Sequence, residues 1–317
     1  MGPAHLMRTP LVAMLIAVEV FLAGLMIYAI KGGHAGWVSA NAAGFPLQQA
    51  SFKASPIAPM AAGLSPTVSI DDANSHVTVG VSTDGLVHVE DLTSASGVIW
   101  GSATIAPLRV ERTAGGVSIT RPGNSSLTMS IGDLNQAIRV DLPAGSHVAI
   151  GHSSGADVTG IAGGVEVTSQ DGRVTLQGLR GDVTAHSDDG RIEAQDITGG
   201  RVALSTDDGR LRLSNIAATS LDASTDDGSI EAERIAISGS GSHAVVHTGD
   251  GSITAVLQPG SNATVVASTD DGSITIDGNT SSGDSNAEQT VKVGDGSAQM
   301  RVSSDDGSIH LTTNGAQ

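Results

Sequence analysis

From Thr67 onward apolar and polar residues alternate as they do in half-buried strands: Val77, Val79 and Val81, then Val87 and Val89. Between Gly172 and Gly307 the alternation becomes repetitive. Ser187-Asp188-Asp189-Gly190-Arg191-Ile192 returns as Thr206-Asp207-Asp208-Gly209-Arg210-Leu211 and as Thr225-Asp226-Asp227-Gly228-Ser229-Ile230. Further copies run Thr269-Asp270-Asp271-Gly272-Ser273-Ile274 and Ser304-Asp305-Asp306-Gly307-Ser308-Ile309, with looser ones at Gly172 and Gly251. Aligned on glycine, the spacings are 18 (Gly172 to Gly190), 19 (to Gly209), 19 (to Gly228), 23 (to Gly251) and 21 (to Gly272). The alignment places Val183 and Ala185, Val202 and Leu204, and Leu221 and Ala223 inward before the turn. After it, Ile192 and Ala194, Leu211 and Leu213, and Ile230 and Ala232 point inward, and a third apolar residue follows at Leu179, Ile197, Ile216 and Ile235.

Three short apolar segments per ~19 residues predict an all-β fold, a β-solenoid in which each repeat closes one turn and stacks ~4.8 Å above the last. Gly172, Gly190, Gly209, Gly228, Gly251, Gly272 and Gly307 are the turn residues, needed for φ > 0. An antiparallel stack with a hairpin at every Asp-Gly is the alternative. Asp295-Gly296 and Asp306-Gly307, 11 residues apart, read as a capping hairpin. Asp84-Gly85 is out of phase with the repeats and reads as an ordinary hairpin.

The pattern divides the chain into residues 151–317 as repeats and 66–150 as an N-terminal β cap. Residues 31–65, rich in Ala, Gly, Ser and Pro, read as a tether. Residues 10–30 are apolar except for Glu19, long enough for one transmembrane helix, with 1–9 as a short cytoplasmic N-terminus. The basic charges around the span place the repeat domain outside a cell membrane crossed once. Glu19, costly within a bilayer, is a candidate contact for a membrane partner.

Composition narrows the chemistry. The 317 residues carry 16 Lys+Arg against 33 Asp+Glu, a net charge of -17, which excludes a nucleic-acid partner. With no cysteine there is no disulfide, thiolate metal site or thiol nucleophile. After Trp100 there is no aromatic residue, so the repeats must build a core of small aliphatic layers.

Stacking would align Asp188, Asp189, Asp207, Asp208, Asp226, Asp227, Asp270 and Asp271 in acidic rows. Such rows offer oxygen ligands to Ca²⁺, the one cofactor the pattern suggests, or serve only as turn chemistry. Asp277-x-Asn279-x-Ser281 with Glu288 imitates an EF-hand loop without its flanking helices, and Gly151-His152-Ser153-Ser154-Gly155 imitates a nucleophile elbow without its helix. Arg180-Gly181-Asp182 spells an adhesion tripeptide in a Gly- and Asp-rich connector. His243 and His247 share a strand face and could form a metal pair, while His186 and His310 show no ligand spacing.

The Leu142-Pro143-Ala144-Gly145 strand end, Ser154-Gly155-Ala156-Asp157-Val158, the Asp-Asp-Gly-Ser-Ile repeats and Val293-Gly294-Asp295-Gly296 together resemble a bacterial family of adhesin-like β-strand-repeat proteins, a domain of unknown function. The resemblance covers roughly residues 70–317. It implies an envelope protein and transfers no catalytic residue. The expected role is non-enzymatic: a membrane-anchored binding or scaffold surface whose partner is an envelope protein or surface ligand. An accessory protein of envelope-stress signalling acting through its anchor is the alternative, and a polysaccharide-acting enzyme the remote one.

Overall fold

The inward pairs on either side of each Asp-Gly turn build two walls. The computed structural model describes residues 47–53 and 57–313, apart from 101–102, 105, 123–125, 128–129, 238 and 284–285. Residues Gln49–Gln317 form one compact unit. In the first wall, the segments that precede the turns pair parallel. One continuous ladder runs Val117, Val68, Val148, Val165, Val183, Val202, Leu221, Ala244, Met300, Val265. In the second wall the segments that follow the turns do the same, through Ile138, Val77, Ala156, Val174, Ile192, Leu211, Ile230, Ile253, Ile309 and Ile274. All of these side chains are buried in one hydrophobic cluster. At about 1.5–3 kcal/mol for each fully buried aliphatic side chain, this cluster is the main stabilising term.

The corner opposite the Asp-Gly turns has its own device. Gly178, Asp196, Asn215 and Arg234 lie six residues beyond their turn glycines, with φ of 63, 56, 56 and 54°. A single left-handed residue reverses the alternation, so the next residue, Leu179, Ile197, Ile216 or Ile235, also points into the core. The third apolar position therefore opens a third short face, in which Ile197, Ile216 and Ile235 pair in parallel register, followed by Thr198, Ala217 and Ala236.

An open β-solenoid is not what forms. The described residues are all β and contain no helix. None of their segments is a helix long and apolar enough to cross a membrane, and the expected span 10–30, Glu19 included, lies outside them. The main sheet closes on itself. Leu211–Asp227, His243–Asp250, Ala298–Asp306, Ala263–Ile276, Ile309–Thr312, Ile253–Leu257 and Ile230–Ala236 pair in that order, each parallel to the next, and the last returns to Leu211–Asp227. This seven-strand parallel barrel arises because two long strands, Leu211–Asp227 and Ala263–Ile276, each run through both walls.

The order of layers also departs from the order of repeats. Ala298–Asp306 and Ile309–Thr312 are inserted between the layer of His243–Leu257 and that of Ala263–Ile276. Asp295-Gly296 and Asp306-Gly307 thus form no capping hairpin. The covering strands are Ala287–Val293 and Asn279–Gly283, both antiparallel to Ala263–Ile276. Near the other end, Asp84-Gly85 closes no hairpin, because Ala137–Leu142 lies between His76–Val81 and His88–Asp91. Beside it Arg121 is buried with two carboxylates, its Nε 2.7 Å from Asp72 and its Nη2 2.9 Å from Asp91. The guanidinium also donates to Ala106 O and Thr93 Oγ1, which compensates its removal from water.

Candidate functional site: an acidic corner

Each turn is built from a buried hydroxyl, a solvent-facing pair and a glycine; the pair is Asp-Asp in five turns, Gln170-Asp171 before Gly172 and Gly249-Asp250 before Gly251. The hydroxyl, three residues before the glycine, belongs to a core column Ser169, Ser187, Thr206, Thr225, Thr248, Ser304 and Thr269, all at most 2% exposed. It ties layers together. Thr206 Oγ1 donates to Gly190 O at 3.0 Å and accepts from Gly209 N at 3.1 Å. Thr225, Thr248, Ser304 and Thr269 donate equivalently to Gly209, Gly228, Gly251 and Gly307 carbonyls, at 3.1, 2.8, 2.9 and 3.0 Å. A buried hydroxyl is thereby satisfied at the point where the wall turns.

The turn glycines are required mainly by a close approach. A Cβ on Gly190, Gly209, Gly228, Gly251, Gly307 or Gly272 would stand 1.9–2.1 Å from the carbonyl oxygen of the glycine in the adjoining layer, and one on Gly172 would stand 1.5 Å from Ser154 O. Among these seven residues, positive φ occurs only at Gly251 and Gly272. The expected left-handed turn is replaced by a column of glycines stacked backbone on backbone.

The acids between hydroxyl and glycine cannot enter the core, and all are exposed. Asp227, Asp250, Asp306 and Asp271 stand in register in successive layers, and Asp189 and Asp208 follow by two the paired hydroxyls Ser187 and Thr206, as Asp227 follows Thr225. Beside this column Asp207 N donates to Asp188 O at 3.0 Å and Asp226 N to Asp207 O at 3.1 Å, a second row that Gly249 interrupts before Asp305 and Asp270. Neighbouring carboxylates one strand spacing apart, ~4.8 Å, repel by about 1 kcal/mol in water before salt screening. All eight acids predicted to line up lie on this solvent-facing corner, spread over several layers.

At one end of the corner the second row meets an imidazole. His186, Asp188 and Asp207 offer ligand atoms that all lie within 4.8 Å of one another, with His186 Nε2 3.2 Å from Asp188 Oδ1. His186 Nδ1 lies 3.0 Å from Ser205 Oγ in the next layer. Sequence reasoning left His186 among the scattered histidines. The signal was present: His186 precedes the hydroxyl by one and Asp188 follows it by one, which sets both on the outer face.

The remaining motifs serve structure. Ser153 is fully buried, its hydroxyl directed to Thr168 O at 3.4 Å, and strand Gly155–Thr159 follows in place of an elbow's helix. Asp277 accepts from Thr313 N at 2.8 Å and from the Thr313 hydroxyl, so both carboxylate oxygens of the EF-hand imitation are engaged. Asp182 of the Arg-Gly-Asp tripeptide accepts from Arg201 N at 2.9 Å. His243 and His247 turn to opposite neighbours, Ser220 at 3.0 Å and Ser303 at 3.0 Å, and do not converge on one ion.

The family model described as Toastrack DUF4097 matches residues 67–312, nearly the whole of the paired sheet. The chain belongs to the Toastrack DUF4097 family. No curated protein matches it. Two solved structures are similar to this family member. One, from Clostridium sporogenes, is described as a candidate cell adhesion protein, at 11% identity, 84% coverage of this chain, 99% of that chain and a TM-score of 0.23. The other, from Bacteroides fragilis, is described as a candidate adhesin, at 13% identity, 84% and 96% coverage and a TM-score of 0.32.

Proposed function

We propose that this Toastrack domain is a non-catalytic binding module of the bacterial cell envelope, held at the membrane by residues 10–30, with the acidic corner as its binding surface. The observation that carries the reading is the in-register aspartate column Asp227, Asp250, Asp306 and Asp271, exposed throughout, with further exposed acids at the same corner. A catalytic site concentrates one distinctive constellation, whereas this corner multiplies one element. Multiplication suits avidity toward an extended cationic partner, or toward Ca²⁺ bridging stacked carboxylates.

The test compares two variants of the full chain with equal charge loss. Asp188→Asn, Asp207→Asn and Asp226→Asn neutralise the corner, and Glu166→Gln, Glu193→Gln and Glu231→Gln neutralise the wall faces. Binding to immobilised poly-lysine at physiological salt should fall for the first variant and persist for the second. Equal loss in both would reduce the effect to net charge and overturn the reading. A thermal melt with chelator and then with added Ca²⁺ tests the ion separately, since a bound ion must raise the melting temperature.

A further inference from the structure

We propose that His186, Asp188 and Asp207 form a binding site for a divalent transition-metal ion of the zinc class. The site takes its carboxylates from the acidic corner and rests on the reading of that corner as a cation-binding surface. Its chemistry is different. An imidazole nitrogen with two carboxylate oxygens is a donor set for zinc, cobalt or nickel, whereas calcium takes oxygen ligands alone.

The geometry needs little adjustment. Tetrahedral zinc with bonds of about 2.0–2.1 Å places its ligand atoms roughly 3.3 Å apart. His186 Nε2 and Asp188 Oδ1 already stand 3.2 Å apart, and the Asp207 carboxylate completes the group within 4.8 Å. Asp207 is contributed by the adjoining layer, so the site is made by stacking and is absent from any isolated repeat.

The independent observation is the far side of the ring. His186 Nδ1 lies 3.0 Å from Ser205 Oγ, a residue outside the ligand set, and this contact aims Nε2 at the carboxylates. Metal-bound histidines are oriented in this way by an outer partner on their second nitrogen. With side-chain exposure of 39% for His186 and 54% for Asp188, an ion has open access and room for a water as fourth ligand.

The repeats supply an internal comparison. His247 occupies the equivalent place and takes the equivalent contact, Nδ1 to Ser303 Oγ at 3.0 Å. Gly249 stands where the His186 repeat has Asp188, so the ring lacks a carboxylate in its own layer. One repeat holds the complete set and the other stops one ligand short.

The experiment is calorimetric titration of the metal-free full chain with ZnCl₂, each variant checked for retained strand signal by circular dichroism. The expected result is a single saturable site, weakened at least about tenfold by His186→Ala and by Asp188→Asn, and unchanged by His247→Ala. The His186 ring nitrogens, followed by NMR, should shift at Nε2 on zinc addition. Uptake that survives His186→Ala, or no uptake by the unaltered chain at millimolar zinc, overturns the site. Poly-lysine binding by the same samples separates the two ideas: zinc failure with poly-lysine retained removes the site alone, and the converse removes the reading of the corner.

Discussion

The buried hydroxyl is the residue on which each corner depends. Thr206 combines a donor to one layer with an acceptor to its own turn, and no solvent reaches it. Thr206→Val keeps the shape and strands two backbone groups, so denaturant unfolding should show a loss of about 1–3 kcal/mol. Gly209→Ala should be worse, about 3 kcal/mol or more, because its Cβ meets a backbone carbonyl that cannot move without parting two layers. Arg234 offers the opposite sign. It is exposed, with φ of 54°, where its counterparts are Gly178, Asp196 and Asn215. Left-handed backbone costs an ordinary residue about 1–2 kcal/mol, so Arg234→Gly should raise stability by roughly 1 kcal/mol in the same measurement. Sequence alone pointed to these positions by recurrence. It assigned the glycines to the wrong cause, since φ > 0 and close backbone approach leave the same letter in the chain.

Among elements, the register of the repeats was legible because burial on one strand face leaves a period of two that survives insertion in the connectors. Val183, Val202 and Leu221 were aligned from glycine spacing and do stand opposite one another. Pairing between distant elements leaves no such trace. Nothing local states that Ala137–Leu142 separates His76–Val81 from His88–Asp91, or that Arg121 anchors Asp72 and Asp91 in the interior. That anchor has a predicted pH signature. Burial pushes the Asp91 carboxyl up, but bonds from Arg121 and Thr93 outweigh it and hold Asp91 below its ordinary value; burial likewise opposes the Arg121 charge, but Asp91 and Asp72 outweigh it and raise Arg121. A depressed carboxylate stabilises the fold above its unfolded pKa of about 3.9, and this contribution disappears as pH falls through the lower folded value. Melts at pH 6 and pH 3 should therefore show a larger drop for the unaltered chain than for Asp91→Asn. Arg121→Met, which leaves two buried carboxylates unpaired, should cost about 3–5 kcal/mol at neutral pH.

Closure belongs to the whole molecule. An open stack unfolds from its ends, whereas a ring ties residues 211–227 to 263–276 through two routes, one along each wall. A chain stopped at Ser297 loses the layer that joins those routes and should bind a hydrophobic dye such as ANS that the intact domain excludes. The net charge of -17 also acts at this scale. Much of it lies along one corner, so added NaCl should raise the melting temperature by screening that column against itself. The acidic rows were legible in the sequence because identical letters at a fixed period must stack wherever the strands do. The cluster at His186 was not singled out, because its ligands come from two layers and only the realised stacking brings them together.

The inserted layer has a consequence for how the protein is made. Residues 263–276 leave the ribosome before 298–312, yet must rest against them in the finished sheet. Until those later residues emerge, the earlier strand has no final neighbour on that side, and its two covering strands cannot take up their finished position over the barrel. Maturation is thereby tied to completion of synthesis through residue 312: a prematurely terminated product remains unsealed and open to proteases, and only a chain translated through that point can lock.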